Sequence, residues 1–242
     1  MRPVGISPSR RAFLKRALAA APAIAAASGE IARPARLLAA AAPTVQADPS
    51  ETYQPTYFTA EEWALLTALV DRLIPADEQG PGALEAGVAE FIDRQMTEPY
   101  GYGALWYMQG PFRQAGPEFG YQLKYTPRDL YRAALAAFDK AVQAKLGKAF
   151  RNLDEVAKDA VIGELQHGQL AMGDIPSSTF FDHLWQNTQE GYFCDPVHGG
   201  NKGMAAWRMI NFPGARADYM DWVEQYGRKY PFPPTSLGAT KG

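Results

Sequence analysis

The sequence predicts an all-α fold: a single compact helical domain with long loops rich in aromatic residues, glycine and proline. Apolar residues recur at the three- and four-residue spacing of a helix in several stretches. Residues typical of helix starts, such as Thr, Asp and Pro, stand before most of these stretches. No stretch sustains the alternating pattern of a half-buried β-strand. With 242 residues, the chain has room for one sizeable core.

The first predicted helix begins at Thr59. Residues 59–62 (TAEE) have the form of a capping box, in which the Thr59 hydroxyl accepts from the Glu62 amide and the Glu62 carboxylate accepts from the Thr59 amide. Pro75 ends this helix, a turn at residues 76–82 follows, and a second helix begins after Pro81. The core-facing residues are predicted to be Trp63, Leu66, Leu69, Val70, Leu73 and Ile74, then Leu84, Val88, Phe91, Ile92 and Met96.

Residues 99–125, the aromatic segment, have no helical period and few aliphatic side chains. Tyr and Trp offer a large contact area at low entropic cost, so this composition suits a partner-binding surface. It suits an irregular lid packed over the helices equally well. Among its aromatic residues we take Trp106, Tyr107 and Phe112 as candidate partner contacts. The full set is Tyr100, Tyr102, Trp106, Tyr107, Phe112, Phe119, Tyr121 and Tyr125.

Two further helices follow the aromatic segment. Residues 126–129 (TPRD) begin the third predicted helix, and Gly147 stands at its C-terminal stop. Residues 152–155 (NLDE) begin the fourth, which reaches residues 167–168. The residues expected to face the core are Leu130, Leu135, Phe138, Val142 and Leu146, then Val156, Val161, Ile162 and Leu165.

The C-terminal third is predicted to contain three helices and a long loop. A fifth helix spans residues 176–191 with Phe180, Phe181, Leu184 and Trp185, and a loop at residues 191–203 follows it. A short helix over about 204–211 precedes a last amphipathic helix. The residues that indicate this last helix are Tyr219, Trp222, Val223 and Tyr226.

The N-terminus carries an export address. Residues 9–15 (SRRAFLK) place an arginine pair just before an alanine-rich run without acidic residues. This pattern is typical of signals for the twin-arginine exporter, which moves proteins already folded. It predicts a periplasmic protein that folds around a cofactor or a partner before export. The residues that carry the prediction are Arg10, Arg11, Phe13 and Leu14.

The predicted organisation therefore has four parts. Residues 1–47 form the twin-arginine signal peptide, and residues 48–57 form a polar linker. Residues 58–228 form the helical domain. Residues 229–242 form a tail that its prolines keep extended.

Composition argues against several function classes. The net charge of -2 provides no basic field for nucleic acid, and a single cysteine excludes an intrachain disulfide. The sequence has no Gly-x-Gly-x-x-Gly after a strand, no phosphate-binding loop, no Cys-x-x-Cys-His for covalent haem and no cysteine cluster for iron and sulfur. We therefore expect no redox cofactor in this chain.

Residues 179–213, which include the loop at residues 191–203, are the densest stretch of the chain in aromatic residues and glycine. Glycine and Asp-Pro allow sharp bends, while bulky aromatic side chains anchor the backbone. We predict a rigid surface at this loop. Its candidate partner contacts are Gly191, Tyr192, Phe193, Asp195, Pro196, Gly199, Gly200 and Asn201.

A metal or nucleophile site is the alternative for the same region. Imidazole and thiolate ligands from His183, Cys194 and His198, with the Asp195 carboxylate, would suit zinc, and Cys194 with His198 could form a nucleophilic pair. However, four-residue spacing in a loop lacks the geometric meaning that it has on a helix, and no fourth ligand is evident. Cys194 as a small buried apolar residue, Asp195 as a turn former and His198 as a hydrogen-bonding loop residue fit better.

Short motifs run through the chain in a fixed order. Upstream they are Phe58-Thr59, Glu62, Leu73-Ile74-Pro75 and Gly87-Val88; downstream they are Phe180-Phe181, Thr188, Glu190-Gly191-Tyr192-Phe193, Asp195-Pro196, Gly199-Gly200-Asn201, Trp207 and Phe212-Pro213-Gly214. This series resembles the gluconate 2-dehydrogenase subunit 3 family. The likeness spans roughly residues 57–226.

The resemblance implies the small, cofactor-free subunit of a membrane-associated, FAD-dependent sugar or sugar-acid dehydrogenase. In such complexes a large flavoprotein subunit oxidises the substrate and a multihaem cytochrome c subunit passes electrons to quinone, so FAD and haem c are expected in the partners. The large subunit often lacks an export signal, and the small subunit carries it across. The complex would lie at the periplasmic face of the cytoplasmic membrane.

The resemblance assigns no catalytic residue to this chain, because the family's chemistry lies in the large subunit. It leaves the substrate open among gluconate, 2-ketogluconate, fructose, glucose and other polyols. The alternative function is a stand-alone periplasmic metal-binding protein or enzyme that uses Cys194 and His198.

Overall fold

The computed structural model describes residues 53–113 and 115–240. In these ranges the chain forms α1 (Ala60–Leu73), α2 (Val88–Thr97), α3 (Pro127–Leu146), α4 (Glu155–Gln166), α5 (Ser177–Phe193) and α6 (Ala205–Met209). Apart from isolated bridges, no β-structure occurs within them, which confirms the all-α prediction. The predicted signal peptide, with Arg10, Arg11, Phe13 and Leu14, lies outside the described residues.

The predicted helix caps set the starts of α1 and α3. The Glu62 amide donates to the Thr59 hydroxyl at 3.3 Å and the Thr59 amide donates to the Glu62 carboxylate at 2.9 Å, which confirms the capping box. Thr126 caps α3 through the Asp129 amide. Gly147 ends α3 with φ +68°, in the left-handed region that glycine adopts without strain.

The core lies around α5, which packs against α2 and α4. Tyr131, Phe138, Phe150 and Phe180 are completely buried. Edge-to-face contacts join Phe138 to Phe150 at 5.3 Å and Tyr131 to Phe180 at 5.8 Å between ring centroids. Complete burial of one large apolar side chain stabilises the fold by about 2–3 kcal/mol. The all-α domain is thus held mainly by its aromatic and aliphatic interior.

The buried Asp93 carboxylate of α2 holds the segment that leads into α1. One oxygen accepts from the Tyr53 hydroxyl, the Thr56 hydroxyl and the Thr56 amide at 2.7–2.8 Å. The other accepts from the Tyr57 and Phe58 amides at 3.1 and 3.0 Å. Residues 53–57, which the sequence indicated as linker, therefore belong to the folded body.

Two opposing effects set the pKa of Asp93. Burial by itself raises the pKa of a carboxyl, but the bonds from the Thr56 and Phe58 amides and from the Tyr53 and Thr56 hydroxyls outweigh burial. The pKa consequently lies below its ordinary value of 3.8. Asp93 is therefore charged at neutral pH and stabilises the fold in that form.

The second helix begins later than predicted. Residues 83–87 form turns in which the Ala83 amide donates to the Ile74 carbonyl at 2.8 Å, and α2 starts only after Gly87, whose φ is +75°. A Cβ at Gly82 would lie 2.6 Å from the Ala76 amide nitrogen, so the chain doubles back here. Leu84 is consequently 50% exposed and does not face the core, contrary to the prediction.

The helices that follow also differ from the predicted positions at their ends. Asp154 caps α4, accepting from the Ala157 amide at 2.8 Å, so residues 152–153 precede the helix. Val156 is 80% exposed because it lies on the outer side of the first turn, and Leu146 is exposed near the end of α3. Both were predicted to face the core. α5 runs two residues past the predicted end, to Phe193.

The prediction of a last amphipathic helix is wrong. In its place stands one 3-10 turn, Met220–Trp222, and Tyr226 is 87% exposed. In the described structure residues 216–234 are exposed or half-buried, and the Trp222 ring packs on Tyr230 at 5.1 Å between centroids. α6 is also shorter than predicted, because Met204 and Asn211 flank it with φ of +55° and +57°.

The end of the described chain folds back onto the body. The Thr235 amide donates to the Pro213 carbonyl at 3.2 Å, and the Ala215 amide donates to the Thr235 carbonyl at 2.7 Å. Ser236 and Leu237 then bind the Asp195 carboxylate. Part of the predicted tail is therefore attached to its own chain. Within the described ranges, no helix has the length and apolar character needed to cross a membrane.

Replacing Asp93 tests the role of its carboxylate. We expect Asp93→Ala to lower the free energy of unfolding by about 3 kcal/mol, because buried donors lose a charged acceptor. The matched control is Asp139→Ala, an exposed position on α3, which should change stability by less than about 0.5 kcal/mol. Urea unfolding of both variants at neutral pH measures the difference.

The same comparison should depend on pH. Because the folded-state pKa lies below 3.8, the Asp93 contribution is present above that value and is lost as pH falls toward the folded pKa. The difference in free energy of unfolding between the wild type and Asp93→Ala should therefore become smaller as the pH falls. A difference that stayed constant would show that the Asp93 charge does not stabilise the fold.

Candidate partner interface

The loop after α5 closes the C-terminal end of that helix. The Trp207 indole N–H donates to the Phe193 carbonyl at 2.7 Å, and the Asn201 side-chain amide donates to the Cys194 carbonyl at 2.9 Å. The Asn201 backbone amide donates to the Gly191 carbonyl at 3.0 Å. The last carbonyls of a helix have no partner inside the helix, so these donors cap α5. The loop is therefore folded against its own helix.

Asn201 is the central residue of this cap. It is completely buried, and its φ of +44° lies in the left-handed region that Asn tolerates better than most residues. Its side-chain oxygen accepts from the Ala206 amide at 3.0 Å. Asn201 thereby connects the end of α5 to the start of α6.

Two glycines let the loop approach this closely. A Cβ at Gly200 would lie 2.1 Å from the Gly191 carbonyl oxygen. A Cβ at Gly191 would lie 2.7 Å from the Phe91 ring of α2. Both positions therefore exclude any side chain for steric reasons.

Charged groups attach the loop to α2 and to the C-terminal segment. The nearly buried Glu90 carboxylate pairs with Arg94 at 2.5 Å and with Lys202 at 2.7 Å. Asp195 accepts from the Ser236 hydroxyl at 2.6 Å and the Leu237 amide at 2.8 Å. The pKa of Asp195 lies below its ordinary value. Burial alone would raise it, but these bonds and one from the Val197 amide outweigh the effect of burial.

Much of the predicted surface of this loop is interior. Phe193 is exposed, and Asp195 and Pro196 are half-buried. The buried candidates shape the loop, while Phe193, Val197 and His198 form its accessible part. The candidates buried within the chain are Gly191, Tyr192, Gly199, Gly200 and Asn201.

The geometry gives no support to the metal or nucleophile alternative. Burial raises the pKa of the Cys194 thiol to about 11, so the thiol is protonated at neutral pH and is a poor nucleophile. Burial lowers the pKa of His183, whose ring packs against both Trp106 and Tyr121. Among the residues that the structure describes, no three His, Cys, Asp or Glu side chains are arranged to hold a metal ion.

The inner side of the aromatic segment is tied to α5 through Asn187. The side-chain oxygen of this buried residue accepts from the Tyr131 hydroxyl at 2.9 Å and from the Tyr100 hydroxyl at 3.1 Å. Its side-chain nitrogen donates to the Glu190 carboxylate at 3.0 Å. The Trp106 ring contacts Tyr100 edge-on at 6.1 Å. The segment is therefore a lid anchored to the core.

The outer side of the aromatic segment is an apolar surface. Tyr107 is 84% exposed, and Leu105, Phe112 and Phe119 are also exposed. A groove of about 470 Å³ lies between them, lined by Trp106, Tyr107, Met108, Gln109, Pro111, Phe112, Phe119, Tyr121, Gln122 and Leu123. The structure thus gives the segment both features that the composition suggested, a packed lid and an exposed aromatic face.

A family model described as gluconate 2-dehydrogenase subunit 3 matches residues 60–214. The chain belongs to this family. Its description is that of one subunit of a gluconate 2-dehydrogenase, which implies partner subunits. No curated protein and no solved structure gave a significant match to the chain.

The gluconate 2-dehydrogenase subunit 3 match contains all six helices named above, the aromatic segment and the cap of α5. Sequence reasoning missed three polar residues that organise these parts, namely Glu90, Asp93 and Asn187. A signal existed for Asp93, which stands four residues after Ala89 and three before Met96 on the apolar side of α2. A charge on that side indicates a buried, hydrogen-bonded group.

The close approach at Gly200 yields a stability prediction. Gly200→Ala should lower the free energy of unfolding by at least about 2 kcal/mol, because its Cβ overlaps the Gly191 carbonyl. Gly163→Ala on α4 is the control, with open space around it, and should stabilise by about 0.5–1 kcal/mol. Thermal unfolding of both variants compares them. Equal stabilities would mean that the loop is not packed on α5.

The raised pKa of Cys194 predicts slow alkylation. Iodoacetamide should react with the folded chain far more slowly than with the urea-unfolded chain, since the thiolate is the nucleophile. In the folded chain the rate should still rise above pH 9.0, the ordinary thiol pKa, toward the raised value of about 11. Mass spectrometry measures the rates. Rapid alkylation of the folded chain at neutral pH would support the Cys194 nucleophile.

Proposed function

We propose that this chain is the non-catalytic small subunit of a heterotrimeric dehydrogenase that oxidises gluconate or a related sugar or sugar acid. It escorts the flavoprotein subunit through the twin-arginine exporter and then remains bound to stabilise it. FAD and haem c belong to the flavoprotein and to a multihaem cytochrome c subunit. The complex works in the periplasm, associated with the outer face of the cytoplasmic membrane. The observation that carries the proposal is the family match over residues 60–214.

The polar side chains described above are consistent with a binding role. Asp93, Asn187 and Asn201 each use their oxygens for bonds within the chain. Such groups rigidify a scaffold, and a rigid scaffold loses little entropy when it binds a partner. The aromatic face that includes Tyr107 and Phe112 is the kind of surface that a protein partner covers.

The export signal supports the escort role. The exporter that reads an arginine pair moves folded proteins, so a subunit with this signal can carry a bound partner that lacks one. The flavoprotein would bind FAD in the cytoplasm, associate with this chain there and cross with it. Localisation of two polypeptides would then depend on one signal.

Changing the arginine pair tests the escort role. Arg10→Lys with Arg11→Lys should leave both this chain and the flavoprotein in the cytoplasm, because the exporter reads both guanidinium groups. Arg16→Lys, a nearby arginine outside the pair, is the matched control and should leave export unchanged. Fractionation and immunoblotting of both subunits measure the outcome. A flavoprotein that still reaches the periplasm would exclude the escort role.

Subunit membership is tested by purification from the producing cells. A tagged chain should co-purify with a large polypeptide, and the eluate should show flavin and c-type haem absorbance. A colourless eluate with a single polypeptide would overturn the proposal.

A further inference from the structure

Residues 215–234 form a loop that is closed at its base. The hydrogen bonds of Thr235 with Pro213 and Ala215 join the two ends. Gly214 has φ of +77°, and a Cβ there would lie 2.2 Å from the Thr235 carbonyl oxygen. Beyond the base, Ser236 and Leu237 bind Asp195, so the loop is attached to the cap of α5.

The 215–234 loop is packed by its own side chains. The Tyr230 ring lies 5.1 Å from Trp222 and 5.6 Å from Phe232, measured between centroids. The Arg216 guanidinium lies 4.9 Å from the Tyr230 ring and that of Arg228 lies 5.3 Å from Trp222. Cation–π and aromatic contacts of this kind order a loop without a helix. The loop therefore presents a preformed surface.

Several large apolar side chains are exposed on the outer surface of this loop. Met220 is 75% exposed, Val223 is 52% exposed, Tyr226 is 87% exposed and Phe232 is 65% exposed. Ile210 and Phe212, just before the base, are exposed as well. Clustered exposed apolar side chains mark interaction sites, and aromatic residues, Met and Arg are the types enriched in protein interfaces.

Charge and size indicate which kind of partner fits. The acidic side chains of the loop balance its basic ones, so no net charge favours nucleic acid or an anionic membrane surface. With residues 209–213 the surface comprises about 25 residues, within the 20–30 that each side of a standard protein interface uses. The charged side chains are Asp218, Asp221 and Glu224 against Arg216, Arg228 and Lys229.

We propose that the 215–234 loop is the main docking element for the flavoprotein subunit. This inference rests on the proposed function, and it names a contact surface outside the family match, which ends at residue 214. Met220, Val223 and Tyr226 are inserted into the partner surface. The edge-to-face contact between Trp222 and Tyr230 holds them in position.

The test uses the tagged full-length chain in its own cells. The variant Met220→Ser, Val223→Ser, Tyr226→Ser removes exposed side chains only. It should reduce the flavin recovered per tagged chain at least about tenfold, since interface anchors of this type dominate binding. The matched control, Leu146→Ser with Val156→Ser, removes exposed apolar side chains of α3 and α4 and should recover wild-type flavin. The thermal unfolding midpoints of the loop variant and of the control variant should both equal that of the wild type.

Each outcome separates this inference from the proposed function. If the wild-type chain captures no flavin, the proposed function fails and the inference fails with it. If the wild type captures flavin and the loop variant captures as much, only the inference fails. A further variant, Leu105→Ser with Tyr107→Ser, tests the aromatic segment. If this variant loses flavin and the loop variant does not, only the inference fails, and the docking surface is the aromatic segment.

Two measurements on the isolated chain address other occupants of the surface. Sedimentation compares the wild type with the loop variant for self-association, and flotation with phosphatidylglycerol vesicles compares them for membrane binding. We expect the isolated chain to be monomeric and not to float. The inference would be overturned if self-association or flotation depended on Met220, Val223 and Tyr226 and flavin capture did not.

Discussion

The buried carboxylate of Asp93 determines where the chain enters its domain. A desolvated charge costs several kcal/mol unless donors surround it, and the amide and hydroxyl donors of residues 53–58 satisfy it. Because these donors are mostly backbone groups, they fix the path of the segment itself. Phe58 is thereby placed in the core, and Thr59 directly after it is placed to cap α1.

A second organising feature is α5, which supports both exposed apolar surfaces. Asn187 in its middle binds Tyr100 and so anchors the aromatic segment. Its C-terminal end is capped by the loop whose Asp195 holds the base of the 215–234 loop. Both surfaces are therefore attached to one helix, α5, whose inner side lies in the core. This arrangement favours association with a partner, because the surfaces are ordered on folding and not on association.

Local signals predicted the fold well where a helix has its own start and stop. Thr59 with Glu62, and Thr126 with Gly147, specify α1 and α3 through bonds between neighbours in sequence. The candidate site was predicted only in part. The aromatic segment was recognised from composition, whereas Asp93 was not, since its partners lie some 35 to 40 residues away in sequence. The spacing of Tyr219, Trp222 and Tyr226 predicted a helix, whereas in the described structure this segment forms one 3-10 turn and stays largely exposed.

The sequence by itself determined the all-α class, the caps of α1 and α3 and the family, because these depend on local spacing and on motifs in fixed order. Tertiary structure alone decided which residues of the 191–203 loop are buried and which are accessible. Gly200 and Asn201 are interior because they pack against the end of α5, and Asn201 also binds the start of α6; no local pattern records that approach. Exposure of the 215–234 loop was decided in the same way, by the absence of a neighbouring helix in the described structure to cover it.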